Sequence, residues 1–134
     1  MNQAIQDFID CKRIAVVGVS HSSQKFGNTA FAELKSRGYQ VYPVTPTATQ
    51  IAGERCYPNL SASKGQIDGV LIIVPSTHAM QVLREAASLG LTKIWLQQGA
   101  ESPETLALAT DLGFSLVSGK CILMYAPPVR SFHG

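Results

Sequence analysis

The sequence predicts an α/β fold: a three-layer, doubly wound parallel sheet of the Rossmann-like kind, in a single domain. Three observations predict it. Apolar runs rich in β-branched residues, "RIAVV" and "GVLIIV" foremost, recur along the chain, as strands buried on both faces require. Segments with helical spacing of apolar positions lie between them, and glycine or proline marks nearly every junction. Strands alternating with helices of about ten to fifteen residues imply right-handed βαβ crossovers, with helices on both faces of one sheet.

The first strand runs from Ile14 to Val17 and stops at Gly18. A helix from Asn28 to Arg37 follows, with Phe31 and Leu34 one turn apart beside Ala30, and Gly38 supplies a left-handed stop. Tyr39 to Val44 forms the second strand, which ends at Thr45-Pro46-Thr47 because proline cannot donate to a ladder. Gly53, Pro58 and Gly65 break the stretch from Ala48 to Ile67, within which "RCYP" reads as a short edge strand. Gly69 to Val74 is the strongest strand signal and halts at Pro75. Ser76 or Thr77 is expected to cap the next helix, whose stripe is Met80, Leu83 and Ala87 as far as Gly90. Thr92 to Gln97 is a further strand. Ser102 then places an N-cap before Pro103 at the first helical position, Gly113 ends that helix, and Phe114 to Ser118 is the last strand.

A length of 134 residues fits one domain, and 46% hydrophobic with 15% charged residues describes a compact protein rather than a disordered one. The net charge of +2, with Lys and Arg scattered, gives no reason to expect nucleic acid as a partner. Asp7 and Asp10 stand where a signal peptide would be apolar, and no apolar run approaches the roughly 20 residues of a membrane span. A cytoplasmic protein with no membrane partner is the expectation. Cys11, Cys56 and Cys121 are odd in number and widely spaced, which speaks against a disulfide framework and a zinc site alike.

In a doubly wound sheet the ligand lies outside the carboxyl ends of the strands, where strand order reverses. An order of 3-2-1 continued by 4-5 puts that crevice between Gly18 and Val74-Pro75. The loop "GVSHSSQKFG" (Gly18 to Gly27) has the layout of a phosphate cradle, but its spacing matches neither G-x-G-x-x-G nor G-x-x-x-x-G-K-[ST]. Backbone N–H groups at the following helix, with Ser20, Ser22 or Ser23, are suited to a pyrophosphate. Lys25 reads either as a phosphate contact or as a solvated loop charge. Pro46 and Pro75 end two strands beside one crevice as rigid, donor-free edges that suit a flat adenine. Val44-Thr45-Pro46-Thr47 carries neither the acid of an NAD site nor the arginine of an NADP site. His21, His78 and His133 are isolated, no G-x-S-x-G elbow or metal-ligand spacing occurs, and Cys121 reads as a nucleophile or as a small buried hydrophobe. Binding is favoured over turnover.

"RIAVVGVSHSSQKFGNTAFAELKSRGYQVYPVTP", "GERCYP", "DGVLIIVPSTHAMQVLREAASLGLTKIWLQQGAES" and "GKCILMYAPP" together resemble the bacterial CoA-binding domain proteins. These are stand-alone Rossmann-like domains similar to the CoA-binding domain of succinyl-CoA synthetase α subunits and ADP-forming acyl-CoA synthetases. The resemblance covers about residues 12–128. It implies coenzyme A as the ligand, with Gly18, Val19, Ser20, Ser22, Ser23, Lys25, Phe26, Gly27 and Asn28 around the diphosphate. It also implies that Val44-Thr45-Pro46 stands at the family's "VNP" motif, with Thr45 in place of the usual asparagine. Val74-Pro75, with Ser76 after it, falls near the adenosine end; Gln97-Gln98-Gly99 matches a "Q-x-G" motif; Cys121 matches a characteristic cysteine. The missing acid at the second strand then follows, because a carboxylate would repel the 3′-phosphate of CoA.

The expected function is non-catalytic binding of CoA or a short acyl-CoA. Alternatives are a small NAD(P)-dependent or acyl-CoA-processing enzyme, a subunit of a split synthetase, or a sensor reporting CoA status to a protein partner. Cys121, rather than Cys11 or Cys56, is the expected neighbour of the CoA thiol; inert packing under Ile122 and Leu123 is the alternative.

Overall fold

The computed structural model describes residues 3–19, 26–51, 53–63 and 65–128. Helices are α1 (Gln3–Ile9), α2 (Phe26–Ser36), α3 (Ser76–Ser88) and α4 (Pro103–Asp111). Strands are β1 (Arg13–Val17), β2 (Gln40–Val44), β3 (Gln50–Ile51), β4 (Glu54–Arg55), β5 (Gly69–Ile72), β6 (Lys93–Gln97) and β7 (Ser115–Lys120), with 3₁₀ turns at Leu60–Ser63 and Ile122–Met124.

Five parallel strands form the main sheet in the order β2-β1-β5-β6-β7, so the direction of winding reverses between β1 and β5. Alternation along β1 explains the layering. Ile14 and Val16 join the core beneath α1 and α2, whereas Ala15 and Val17 join the core beneath α3 and α4. Both faces are covered, which is why β1 and β5 read as unbroken apolar runs.

The expected strand beyond β2 is a correction. "RCYP" contributes Arg55 to the small antiparallel β3–β4 hairpin, and only Tyr57 reaches the main sheet, through one parallel bridge to Val44. Pro43 has no N–H to continue that ladder outward, although its carbonyl accepts from Tyr57 N–H at 2.9 Å. Helix α3 needs two corrections. Neither Ser76 nor Thr77 caps it, since the N-cap is Pro75 with no side-chain hydrogen bond, and the buried stripe is Ala79, Leu83 and Ala86, one register from the expected Met80 and Ala87. By contrast, Ser102 and Thr105 form the reciprocal capping pair of α4, ahead of which Ser102 is followed by Pro103 as expected.

The sequence reading contained no α1. Its Ile5 and Phe8 are buried, and the Phe8 ring meets Trp95 edge-on with centroids 5.4 Å apart. A Cβ at Gly69 would lie 3.0 Å from both Cys11 Sγ and the Phe8 ring, so β5 begins with glycine where α1 packs on it. The last strand also runs two residues beyond Ser118. Gly119, at φ +72°, is an extra residue between the pairs Leu96–Ser118 and Gln97–Lys120, a bulge that redirects the chain toward Cys121.

Candidate functional site

The carboxyl ends of β1 and β5 come unusually close. Ile73 N–H donates to the Val17 carbonyl at 2.8 Å, the final rung between them, and Gly18 then turns with φ +132°. A Cβ at Gly18 would stand 3.0 Å from Ile73 Cβ. One at Gly27 would overlap the Gly18 carbonyl oxygen, so glycine at 27 lets α2 begin directly against the β1 turn, while glycine at 18 lets that turn pass the end of β5.

Two cavities open from this junction and share Gly18, Val19 and Val74. The smaller, about 350 Å³, lies toward β2 and has apolar walls from Val17, Val44, Pro46, Pro58, Leu60 and Val82. Thr45, Asn59, His78, Gln81 and Glu85 supply its polar groups. The larger, about 710 Å³, lies toward β6 and β7 and is lined by Phe26, Gly27, Ile73, Pro75, Gln97, Gln98, Gly99 and Cys121 besides the shared residues.

At the β2 end, Thr45 is buried and its N–H donates to Tyr57 O at 2.8 Å. Its hydroxyl lies 3.0 Å from that of Thr47 and accepts from Thr47 N–H at 3.3 Å, a local turn that presents hydroxyls and no carboxylate. The nearest charges in sequence are used elsewhere: Glu54 pairs with Lys35, and Arg55 lies 5.4 Å from the centre of the Tyr57 ring. Glu85 is the one acid among the residues lining the smaller cavity. Its two oxygens accept from Leu60 N–H at 3.3 Å, Ser61 N–H at 3.1 Å and Ser61 Oγ at 2.9 Å, which fixes the Pro58–Leu60 wall.

The opposite end is built around buried Gln97. Its Oε1 accepts from Ile122 N–H at 3.0 Å, tying the turn after Cys121 to β6. Trp95 Nε1 donates to Lys120 O at 3.0 Å, and the Lys120 ammonium lies over the Tyr125 ring at 5.8 Å. Gly99, at φ +98°, donates its N–H to Glu101 Oε1 at 2.7 Å.

The three cysteines separate sharply. Cys11 is buried under α1, and desolvation there pushes its thiol up to about 11. Cys56 is buried and likewise raised by desolvation. Cys121 is half-buried and lines the larger cavity, so it is not the sealed core cysteine of the alternative expectation.

Gly18, Val19, Phe26, Gly27, Thr45, Pro46, Val74, Pro75, Gln97, Gly99 and Cys121 are thus brought to the two cavities. Asn28, in the first turn of α2, and Ser76, the first residue of α3, line neither. Ser20, Ser22, Ser23 and Lys25 lie outside the described residues. The sequence reading missed the α3 face of His78, Gln81, Val82 and Glu85 and the Pro58–Leu60 turn. Spacing of three, four and seven residues from His78 marks one helix face, and that was the available signal.

A family model described as CoA binding domain matches residues 12–127. The chain is 26% identical over 126 residues to the α subunit of the ADP-forming acetate–CoA ligase II of Pyrococcus furiosus, covering 86% of this chain and 28% of that subunit. It therefore spans well under half the length of that relative. It is 28% identical to the uncharacterized protein YneT of Bacillus subtilis, over 83% of this chain and 82% of that one. Among solved structures, a hypothetical protein from Pyrococcus horikoshii OT3 superposes with a TM-score of 0.85 at 26% identity, covering 93% of this chain and 89% of the other.

Proposed function

The chain belongs to the CoA binding domain family, and from that premise we propose that it holds coenzyme A or a short acyl-CoA in the cytoplasm without transforming it. The observation that carries this reading is that the two cavities adjoin at the β1–β5 junction, with Gly18, Val19 and Val74 in the walls of both. A bent ligand with a flat apolar end, a charged middle and a long flexible arm suits that shape. Adenosine takes the smaller cavity. The diphosphate lies at the Gly18–Gly27 junction, where the loop carrying Ser20, Ser22, Ser23 and Lys25 begins. The pantetheine arm takes the larger cavity and ends near Cys121.

One feature supports binding without turnover. His78 and Cys121 line different cavities, so the described residues offer no cysteine–histidine pair of the kind nucleophilic catalysis uses. The chain is also similar to part of the α subunit of a CoA ligase. That similarity supports a protein partner that works with the loaded form.

Calorimetry with CoA, dephospho-CoA, NAD and NADP tests the reading. CoA is expected to bind tightest, ahead of dephospho-CoA because the β2 end carries threonines and no acid. Equal affinity for CoA and dephospho-CoA removes the 3′-phosphate from the β2 end, and an NAD affinity at or above that of CoA overturns the whole assignment.

A further inference from the structure

Helix α3 leaves the β1–β5 junction along the wall of the smaller cavity, and His78, Gln81 and Glu85 lie on the face lining it. At 1.5 Å per residue, Gln81 stands roughly 4.5 Å and Glu85 roughly 10 Å further along the axis than His78. Glu85 is engaged with the backbone of the 3₁₀ turn at Leu60–Ser63 through both oxygens. Asn59 Oδ1 is used in the same turn, where it accepts from Ala62 N–H at 3.0 Å. The Gln81 side chain, by contrast, makes no hydrogen bond to another described residue, and it lies between His78 and Glu85 along the helix.

We propose that Gln81 reads the amine-bearing edge of the adenine ring and thereby sets the base specificity of the site. This rests on the assignment of adenosine to the smaller cavity. A primary amide carries one donor group and one acceptor side by side, as does the N6/N7 edge of adenine, so the two pair through two hydrogen bonds. The apolar walls of Val44, Leu60 and Val82 are suited to the ring faces but carry no polar side-chain group that distinguishes one purine from another. His78, a turn nearer the junction, falls at the level of the ribose.

The test compares adenosine 3′,5′-bisphosphate with purine riboside 3′,5′-bisphosphate, the same molecule without the exocyclic amine, in wild type, Gln81→Met and Arg84→Met. Methionine keeps the length and helix preference of glutamine while removing the amide. Wild type and the exposed-site control Arg84→Met are expected to favour the adenosine compound by about tenfold, the scale of one bidentate base contact. Gln81→Met should lose that preference by weakening the adenosine compound alone. No preference in wild type, or a preference that survives in Gln81→Met, overturns the inference. CoA titrated into wild type in the same series separates the two failures. If CoA binds and the base preference is absent, only the role of Gln81 falls; if CoA does not bind, the assignment of the cavities falls with it.

Discussion

The amino and carboxyl ends of the sheet are made from the same strands and treat their polar groups in opposite ways. At the amino end Asp68, just before β5, accepts from the Arg13 guanidinium at 2.9 Å and from the backbone N–H groups of Arg13 and Lys12 at 3.1 and 3.3 Å. Above it Phe8, Cys11 and Gly69 pack without room for a methyl group. At the carboxyl end the chain turns on glycines, two cavities stay open, and Gln81, His78 and Cys121 line them. Satisfied groups and tight packing lower the folded state's free energy, whereas open groups in a cavity contribute only once a ligand meets them. Stability and binding are therefore expected to separate along the strand axis.

Phe8→Ala should have the largest effect. The side chain is wholly buried against Trp95, and its removal should destabilise the fold by about 3–5 kcal/mol in urea melts. CoA affinity of the molecules that remain folded should not change. A matching fall in affinity would show that the two ends are coupled and break the comparison.

Gly27→Ala comes next. Its Cβ would overlap the Gly18 carbonyl, so α2 must move away from the β1 turn at a cost of about 1–3 kcal/mol. Here both quantities should fall together, because the displaced segment is the proposed diphosphate site. A variant that is destabilised yet binds CoA as wild type does would move the diphosphate away from this junction.

Asp68→Asn sharpens the amino-end side of the comparison. Hydrogen bonds from Arg13, chiefly its side chain, hold the Asp68 carboxyl below the usual range and outweigh desolvation. The pair is partly exposed, with side-chain accessibilities of 42% for Arg13 and 30% for Asp68, so a loss of about 1 kcal/mol is expected at neutral pH. A depressed carboxyl stabilises the fold above its unfolded pKa and ceases to do so as pH falls through its folded value. The difference between wild type and variant should hold at pH 7 and shrink below about pH 4. A difference constant down to pH 2 would mean that the carboxylate charge plays no part.

The contrast between the ends also accounts for what could be read from the sequence. β1, β5 and β6 were legible because they are buried on both faces, and α4 because Ser102-Pro103 is a local signal. The registers of α1 and α3 were not. Phe8 finds its place through Trp95, far away in sequence, and Ala79 rather than Met80 is buried because it packs with distant strand residues such as Val70 and Ile72. The glycines of the site were legible as conformational breaks. The smaller cavity's polar rim was not, since it joins α3 to the Pro58–Leu60 turn through Glu85, a contact that no local pattern announces.

The smallest effect on stability, and the most direct comparison of the two ends, comes from the cysteines. CoA disulfide exchanges with a protein thiolate without any further oxidant: the thiolate attacks one sulfur, a mixed disulfide forms, and one CoA leaves as its thiolate. Cys11 is closed to this by burial and by a thiol pushed up to about 11, which leaves on the order of one thiolate per thousand at pH 8. Cys56 is buried and raised in the same direction. Cys121 alone of the three stands half-open in a cavity, at the end assigned to the pantetheine arm. Peptide mass spectrometry after brief incubation with CoA disulfide should find the adduct at Cys121 first, and an excess of desulfo-CoA, which has no thiol to reverse the exchange, should slow it by occupying the site. Equal labelling of the three cysteines would dissolve the distinction between the ends. Labelling of Cys121 that desulfo-CoA does not slow would leave the thiol exposed but place the arm elsewhere.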